Sequence, residues 1–181
     1  MQKKEEQKYL EELSSGSHDA FHYFFITYYP KVKVFINFFV RSEDVAEDLS
    51  QDIFEKIWLN REFASNLQSF NSYVYRLAKN AAINYMEHKT IEGEYISSAS
   101  IIMETSIEEE IDAKELKLLI QLTVEKMPEQ RRKIYNMSRI EGMKNGEIAE
   151  QLNISKRTVE AHINQALKQI KEITAILFLF F

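Results

Sequence analysis

The sequence holds no cysteine, four glycines, two prolines and a single tryptophan among 181 residues. Without cysteine there is no disulfide framework, no thiol nucleophile and no thiolate-ligated metal, and a reducing compartment suits such a chain. So little glycine and proline leaves scant material for hairpin turns, barrels or glycine-rich phosphate loops. Long apolar runs are missing too. Residues 1–13 (MQKKEEQKYLEEL) are too charged to form the apolar core of a signal peptide. The longest apolar run, AILFLFF at residues 175–181, has seven residues, whereas a bilayer-spanning helix needs about 20.

What is present points to a globular helical protein. The hydrophobic fraction of 45% is ordinary for a folded chain, and the length allows one domain or two small ones. The net charge of −5 is unevenly spread: −2 over residues 1–90, −7 over 91–115 and +4 over 116–181. Aromatics are skewed as well, with 17 of the 22 before residue 90. Residues 91–107 contain Gly93, a serine cluster and no apolar period, which reads as an acidic linker. The expected fold class is therefore all-α: two small helical domains, 1–90 and 108–181, joined by an acidic linker, the second a helix-turn-helix.

Punctuation residues place the helices. One ends near Ser14-Ser15-Gly16, and Ser17 can cap the next, which carries Phe21, Phe24, Phe25 and Tyr28 on one face. Pro30 suits the first turn of a separate helix carrying Val32, Phe35, Ile36 and Phe39. Ser42 can cap a helix over 43–60, with Val45, Leu49, Ile53 and Ile57 at i, i+4, i+8 spacing. A polar loop at 65–69 precedes a helix over 70–88. Further helices are expected at 107–126, 128–141, 145–152 and 155–172.

The sharpest motif is NGEIAEQLNISKRTVEAHINQALK at residues 145–168. Ile148, Ala149 and Leu152 face inward on a short helix, and Asn153 tolerates the left-handed conformation of a tight turn. Ile154 plugs the angle and Ser155 caps the second helix, whose buried stripe is Val159, Ile163, Ala166 and Ile170. The opposite face carries Arg157, Ala161, Asn164, Gln165 and Lys168, flanked by Glu160. Short and amide side chains for base edges, with cations for phosphates, are what a major-groove reader needs. Lys156 and Thr158 lie in the first turn, where free backbone N–H groups also favour phosphate. Glu160 can accept from a cytosine amino group, a role in specificity rather than affinity.

Two N-terminal segments carry further patterns. Helix 43–60 has an acidic face, Asp44, Glu47, Asp48, Gln51, Asp52 and Glu55, which reads as a solvated stripe or a docking surface for a basic helix. In segment 70–89, Phe70, Tyr73 and Tyr75 interleave with Arg76, Lys79, Asn80, Asn84 and Lys89. Aromatic faces stack on unpaired bases while cations follow the backbone, so the mixture suits single-stranded DNA. Tyr73 and Leu77 at helical spacing also fit a plain core.

Four stretches in order, SEDVAEDLSQDIFEKIW (42–58), YVYRLAKNAAINY (73–85), MPEQRR (127–132) and the helix-turn-helix, resemble bacterial sigma factors of the extracytoplasmic-function group. The resemblance covers roughly 18–90 and 108–172. It implies a non-catalytic subunit that binds core RNA polymerase and directs it to promoters. By position, Asp44, Glu47, Asp48, Gln51, Asp52, Phe54 and Trp58 would dock on the polymerase. Phe70, Tyr73, Arg76, Lys79, Asn80, Asn84 and Lys89 would recognise and open the −10 element, with Arg76, Asn80 and the preceding loop holding a flipped base. The −35 element would be read by Arg139, Ser155, Lys156, Arg157, Thr158, Glu160, Ala161, Asn164, Gln165 and Lys168. The implied partners are core RNA polymerase, promoter DNA and an anti-sigma factor, with a cytoplasmic location, a monomeric free chain, no small-molecule substrate and no cofactor or metal.

Other classes fit less well. The motif IAEQLNISKRTVEAHI also resembles the effector helix-turn-helix of response regulators, but these need an α/β receiver and residues 1–90 lack strand alternation. His18 and His22 have i, i+4 spacing that could share a metal, yet no third ligand accompanies them. The apolar tail from Leu177 fits either a helix extension on its own domain or a strip docking on the N-terminal domain or a partner.

Overall fold

The computed structural model describes residues 2–91 and 113–180, with the backbone alone described at 2–4, 88–91, 113 and 115. Of the expected linker 91–107, Ile91 is helical, while residues 92–107, with the helix start expected at 107, lie outside the described residues. Among those described, every regular element is a helix and there is no strand. The chain is all-α, and the α/β receiver of a response regulator has no counterpart in residues 2–91.

Among the described residues, the N-terminal part holds four α-helices and one 3₁₀ helix: α1 (Gln2–Ser14), α2 (His18–Val40), α3 (Glu43–Leu59), the 3₁₀ helix Arg61–Asn66, and α4 (Phe70–Ile91). The C-terminal part holds α5 (Ala113–Glu125), α6 (Glu129–Arg139), α7 (Asn145–Leu152) and α8 (Lys156–Leu177). The backbone divides into two compact units, Met1–Glu110 with Ile176–Phe181, and Ile111–Ala175.

Caps set most boundaries. Gly16, with φ +88, ends α1 in the left-handed region that glycine enters freely. Ser17 Oγ accepts the Ala20 N–H at 3.2 Å. Ser42 stands at the N-cap of α3 without a side-chain bond; its carbonyl accepts from Ala46 N instead, at 2.9 Å. One boundary differs from expectation. Pro30 starts no new helix; α2 runs through it. A proline inside a helix removes one hydrogen bond and crowds the carbonyl four residues back, costing about 3 kcal/mol. At 100° per residue Pro30 lies opposite the buried stripe of Phe24, Val32, Phe35 and Phe39, and it is exposed. Water can reach the Ile26 carbonyl there, and burial of one aromatic stripe along both halves outweighs the break.

That stripe explains the aromatic skew. Phe24 stacks on Phe70 at 3.9 Å, Phe54 meets Phe25 at 5.1 Å, and Phe24, Phe35 and Phe70 are fully buried. Leu10 and Leu13 of α1 are also fully buried. In the same unit Phe180, 3% exposed, lies edge-on to Phe35 at 6.0 Å and against Tyr75 at 5.4 Å, while Phe178 is exposed. Of the two readings of the tail, this is docking on the N-terminal domain, at Phe180.

In the second unit Ile134, Met137, Ile148, Ala149, Val159 and Ile163 form one cluster, closed by Met143, Leu152 and Ile154. Val124, Met127 and Ala166 form another, with Tyr135 and Ile170 against it. No helix among the described residues is long and apolar enough to cross a membrane.

Candidate nucleic-acid interface

The turn between α7 and α8 is built as its residues dictate. Asn153 adopts φ 51, ψ 48, the left-handed conformation that asparagine accepts more readily than most residues. Ile154 packs against the cluster beneath it. Ser155 Oγ accepts from the Thr158 N–H at 3.0 Å and lies 2.8 Å from the Thr158 hydroxyl, an N-cap closed by a second hydroxyl. With Val159, Ile163 and Ala166 turned inward, Ser155, Lys156, Arg157, Glu160, Ala161, Asn164, Gln165 and Lys168 are exposed; Thr158 is half-buried. Lys156 and Glu160 approach to 4.0 Å. Arg139, at the end of α6, is exposed too. Arg131 of α6 contacts the same face, donating to Gln165 Oε1 at 2.7 Å and to Gln169 Oε1 at 2.9 Å. Sequence reasoning gave Arg131 no role; its place in MPEQRR was the available signal.

On α4 the expected single-strand set divides. Tyr73, Arg76, Asn80 and Asn84 fall within about 80° of one another on the helix, with Asn80 and Asn84 exposed and Tyr73 and Arg76 half-buried. Burial raises the Tyr73 hydroxyl pKa, and the nearby Arg76 cation opposes that rise. Phe70 and Lys79 sit elsewhere: Phe70 is fully buried on Phe24, and Lys79 is 4% exposed with its amine 5.9 Å from the Tyr75 ring. Neither offers a side chain to a nucleic acid in this conformation. The Lys89 side chain lies outside the described residues.

The acidic face of α3 also resolves into two kinds of residue. Asp44, Asp48, Gln51, Asp52 and Glu55 are exposed. Glu47 is tied to α2, its Oε2 accepting from Lys33 Nζ at 2.7 Å, with Glu43 at 3.4 Å from the same amine. Phe54 is 2% exposed and belongs to the core, not to a docking surface. Trp58 is half-buried between His18 at 4.7 Å and Phe21 at 5.1 Å, with the Arg61 guanidinium over its ring. His18 is thus a packing partner of Trp58. No group of three His, Cys, Asp or Glu side chains that could hold a metal ion occurs among the described residues.

These surfaces coincide with matches to known families. The family model for Sigma-70 region 2 matches residues 24–90, and that for Sigma-70, region 4 matches residues 117–170, together about two thirds of the chain. The chain belongs to the sigma-70 family. The RNA polymerase sigma factor SigZ of Bacillus subtilis (strain 168) is 24% identical over 146 residues, covering 81% of this chain and 82% of that protein. The ECF RNA polymerase sigma-E factor of Escherichia coli (strain K12) is 27% identical over 176 residues, covering 91% and 92%. Among solved structures, CnrH in complex with the cytosolic domain of CnrY aligns over 94% of this chain and 97% of that one, at 18% identity and a TM-score of 0.42. Both named relatives align over most of their length, and the group is the extracytoplasmic-function one. This sigma factor directs promoter recognition and transcription initiation.

Proposed function

We propose that this sigma factor works through three surfaces. The exposed carboxylates Asp44, Asp48 and Asp52, with Gln51, dock on core RNA polymerase. The α4 face of Tyr73, Arg76, Asn80 and Asn84 takes the unpaired −10 strand, and the exposed face of α8 reads the −35 element. Residues 1–90 and 108–181, joined by the acidic linker 91–107, are its region 2 and region 4 domains. The inferred partners are core polymerase, promoter DNA and an anti-sigma factor. The free chain is monomeric, non-catalytic and cytoplasmic.

The observation that carries this reading is the segregation of exposed side chains by helix. Asp44, Asp48, Asp52 and Glu55 crowd one solvent face of α3, with Lys56 only at its edge one turn after Asp52, which favours a basic partner surface. The solvent face of α8 instead mixes amides, Ala161 and cations, with Glu160 on its flank, as base-edge and phosphate contacts require.

Size-exclusion co-elution with bacterial core polymerase tests it, comparing wild type with Asp48→Arg/Asp52→Arg. Wild type is expected to co-elute and the charge reversal to run free. If well-folded wild type also runs free, the α3 face is a solvated stripe and the docking reading fails.

A further inference from the structure

α1 lies outside the segment matched by the region 2 model, which begins at residue 24, yet it is built into the first unit. Leu10 and Leu13 are fully buried, and Tyr9 stacks on Tyr23 at 4.2 Å with the rings 9° from parallel. Two adjacent side chains of α1 then reach the chain on either side of the loop before α4. Glu6 Oε1 accepts the backbone N–H of Phe70 at 2.8 Å, across 64 residues of sequence. Gln7 Nε2 lies 3.4 Å from the carbonyl of Ser65 in the 3₁₀ helix. Between these ties run residues 66–69.

The first N–H groups of a helix have no partner within it. In α4 the Ser69 hydroxyl serves Ser72 N at 3.3 Å, and the Glu6 carboxylate serves Phe70 N. The carboxylate also offsets the positive end of the helix dipole, so that this end does not attract phosphate indiscriminately. Phe70 itself is locked on Phe24 at 3.9 Å. Tyr73, Arg76 and Asn80 project from the next turns of the same helix.

We propose that Glu6 is a positioning residue for −10 recognition: by holding the start of α4 from α1, it fixes the loop 67–69 at the end of the helix that carries Tyr73, Arg76 and Asn80, so that an extruded base meets a preformed pocket. This rests on the reading of the α4 face given above. A preformed pocket spares the ordering of its own loop on binding, and that difference favours the base which fits. A loop free to move accepts several bases with similar affinity.

The test uses full-length protein reconstituted with core polymerase on a promoter library randomised at the −10 and −35 elements, with transcribed templates sequenced. In wild type, one −10 position is expected to show a strong base preference. Glu6→Ala leaves Phe70 N–H without its acceptor and is expected to flatten the preference at that position by a factor of about five, the equivalent of one lost helix cap. Other −10 positions, the −35 preference and core binding are expected to hold. Glu6→Gln keeps an acceptor oxygen and is expected to stay within about twofold of wild type. Ile36→Val, in the core away from this loop, serves as a control for loss of stability alone. Glu6→Ala retaining the full preference, or flattening −10 and −35 preferences together as far as Ile36→Val does at equal thermal stability, overturns the proposal. Wild type that binds core polymerase but shows no −10 preference overturns instead the reading of the α4 face.

Discussion

Arg131 on α6 donates to the amide oxygen of Gln165 on α8 at 2.7 Å, so an exposed side chain of the α8 face is held by a neighbouring helix. With that oxygen engaged, the group that Gln165 can offer a base is its NH₂, a donor to purine N7 or to O6 and O4 acceptors. Arg131→Ala is expected to release Gln165 and weaken discrimination at one −35 position by about 1 kcal/mol, a factor of about five. Competition binding with singly substituted −35 duplexes measures this, and overall affinity for the best site should fall less than the discrimination does.

Glu47 and Asp48 are neighbours in sequence with different employment. Glu47 is engaged by Lys33, whereas Asp48 is exposed. Asp48→Ala is expected to weaken polymerase binding several-fold more than Glu47→Ala. The hydrogen bond to Glu47, and secondarily that to Glu43, raises the pKa of Lys33 above the ordinary lysine value. A cation whose pKa is raised contributes stability that is complete below the ordinary lysine value of 10.5 and lost only as pH rises through the folded one, so neutral pH leaves the lysine side of the pair untouched. Salt is therefore the effective lever on it. A thermal-melting series in increasing salt should separate Lys33→Ala from wild type at low ionic strength and bring the two together at high.

Phe54 tests the distinction between core and docking surface. It is 2% exposed and packs on Phe21, Phe25 and Tyr29. Phe54→Ala should cost about 3–5 kcal/mol of stability in the first unit. Phe54→Leu should keep polymerase affinity within about twofold once folding is confirmed. A large loss of binding from Phe54→Leu in a fully folded protein would return this residue to the interface.

Ser155 closes the first turn of α8, accepting from Thr158 N at 3.0 Å. Ser155→Ala should destabilise the second unit by about 1 kcal/mol, seen as a lower chemical-denaturation midpoint. Ser155→Asp should restore stability while repelling phosphate, so that DNA affinity falls although the fold does not.

Local chemistry carried much of this fold. Ser17 and Asn153 announced real boundaries because each solves a problem confined to a few residues: an orphan N–H, or a left-handed turn. Pro30 misled because its effect depends on which side of α2 faces water, and tertiary packing decides that. The 3₁₀ helix Arg61–Asn66 has no periodic signature and rests on α1, some 50 residues away in sequence.

The candidate surfaces were legible in type more than in membership. On α3 the carboxylates announced an outward face, but Phe54 entered the docking set through its place in the motif, although the helical repeat sets it beside Ile53 and Ile57. On α4 the same repeat separates Lys79 from the face shared by Tyr73, Arg76, Asn80 and Asn84, whereas Phe70, about 60° from Tyr73, is withdrawn by its packing on Phe24. Arg131 and Glu6 act from other helices, and no spacing rule within α8 or α4 points to them.

The stretch that resembles other proteins and the stretch that folds are of different lengths. The region 2 match begins at residue 24, partway along α2 and beyond Ser17, Phe21 and the whole of α1. A fragment cut at that point would begin inside a helix without its cap and would bare the surface that Leu10 and Leu13 cover. Dissection of this sigma factor by homology alone would therefore be expected to give a sticky, frayed domain, whereas a boundary set before α1 retains the buttress that its core is packed against.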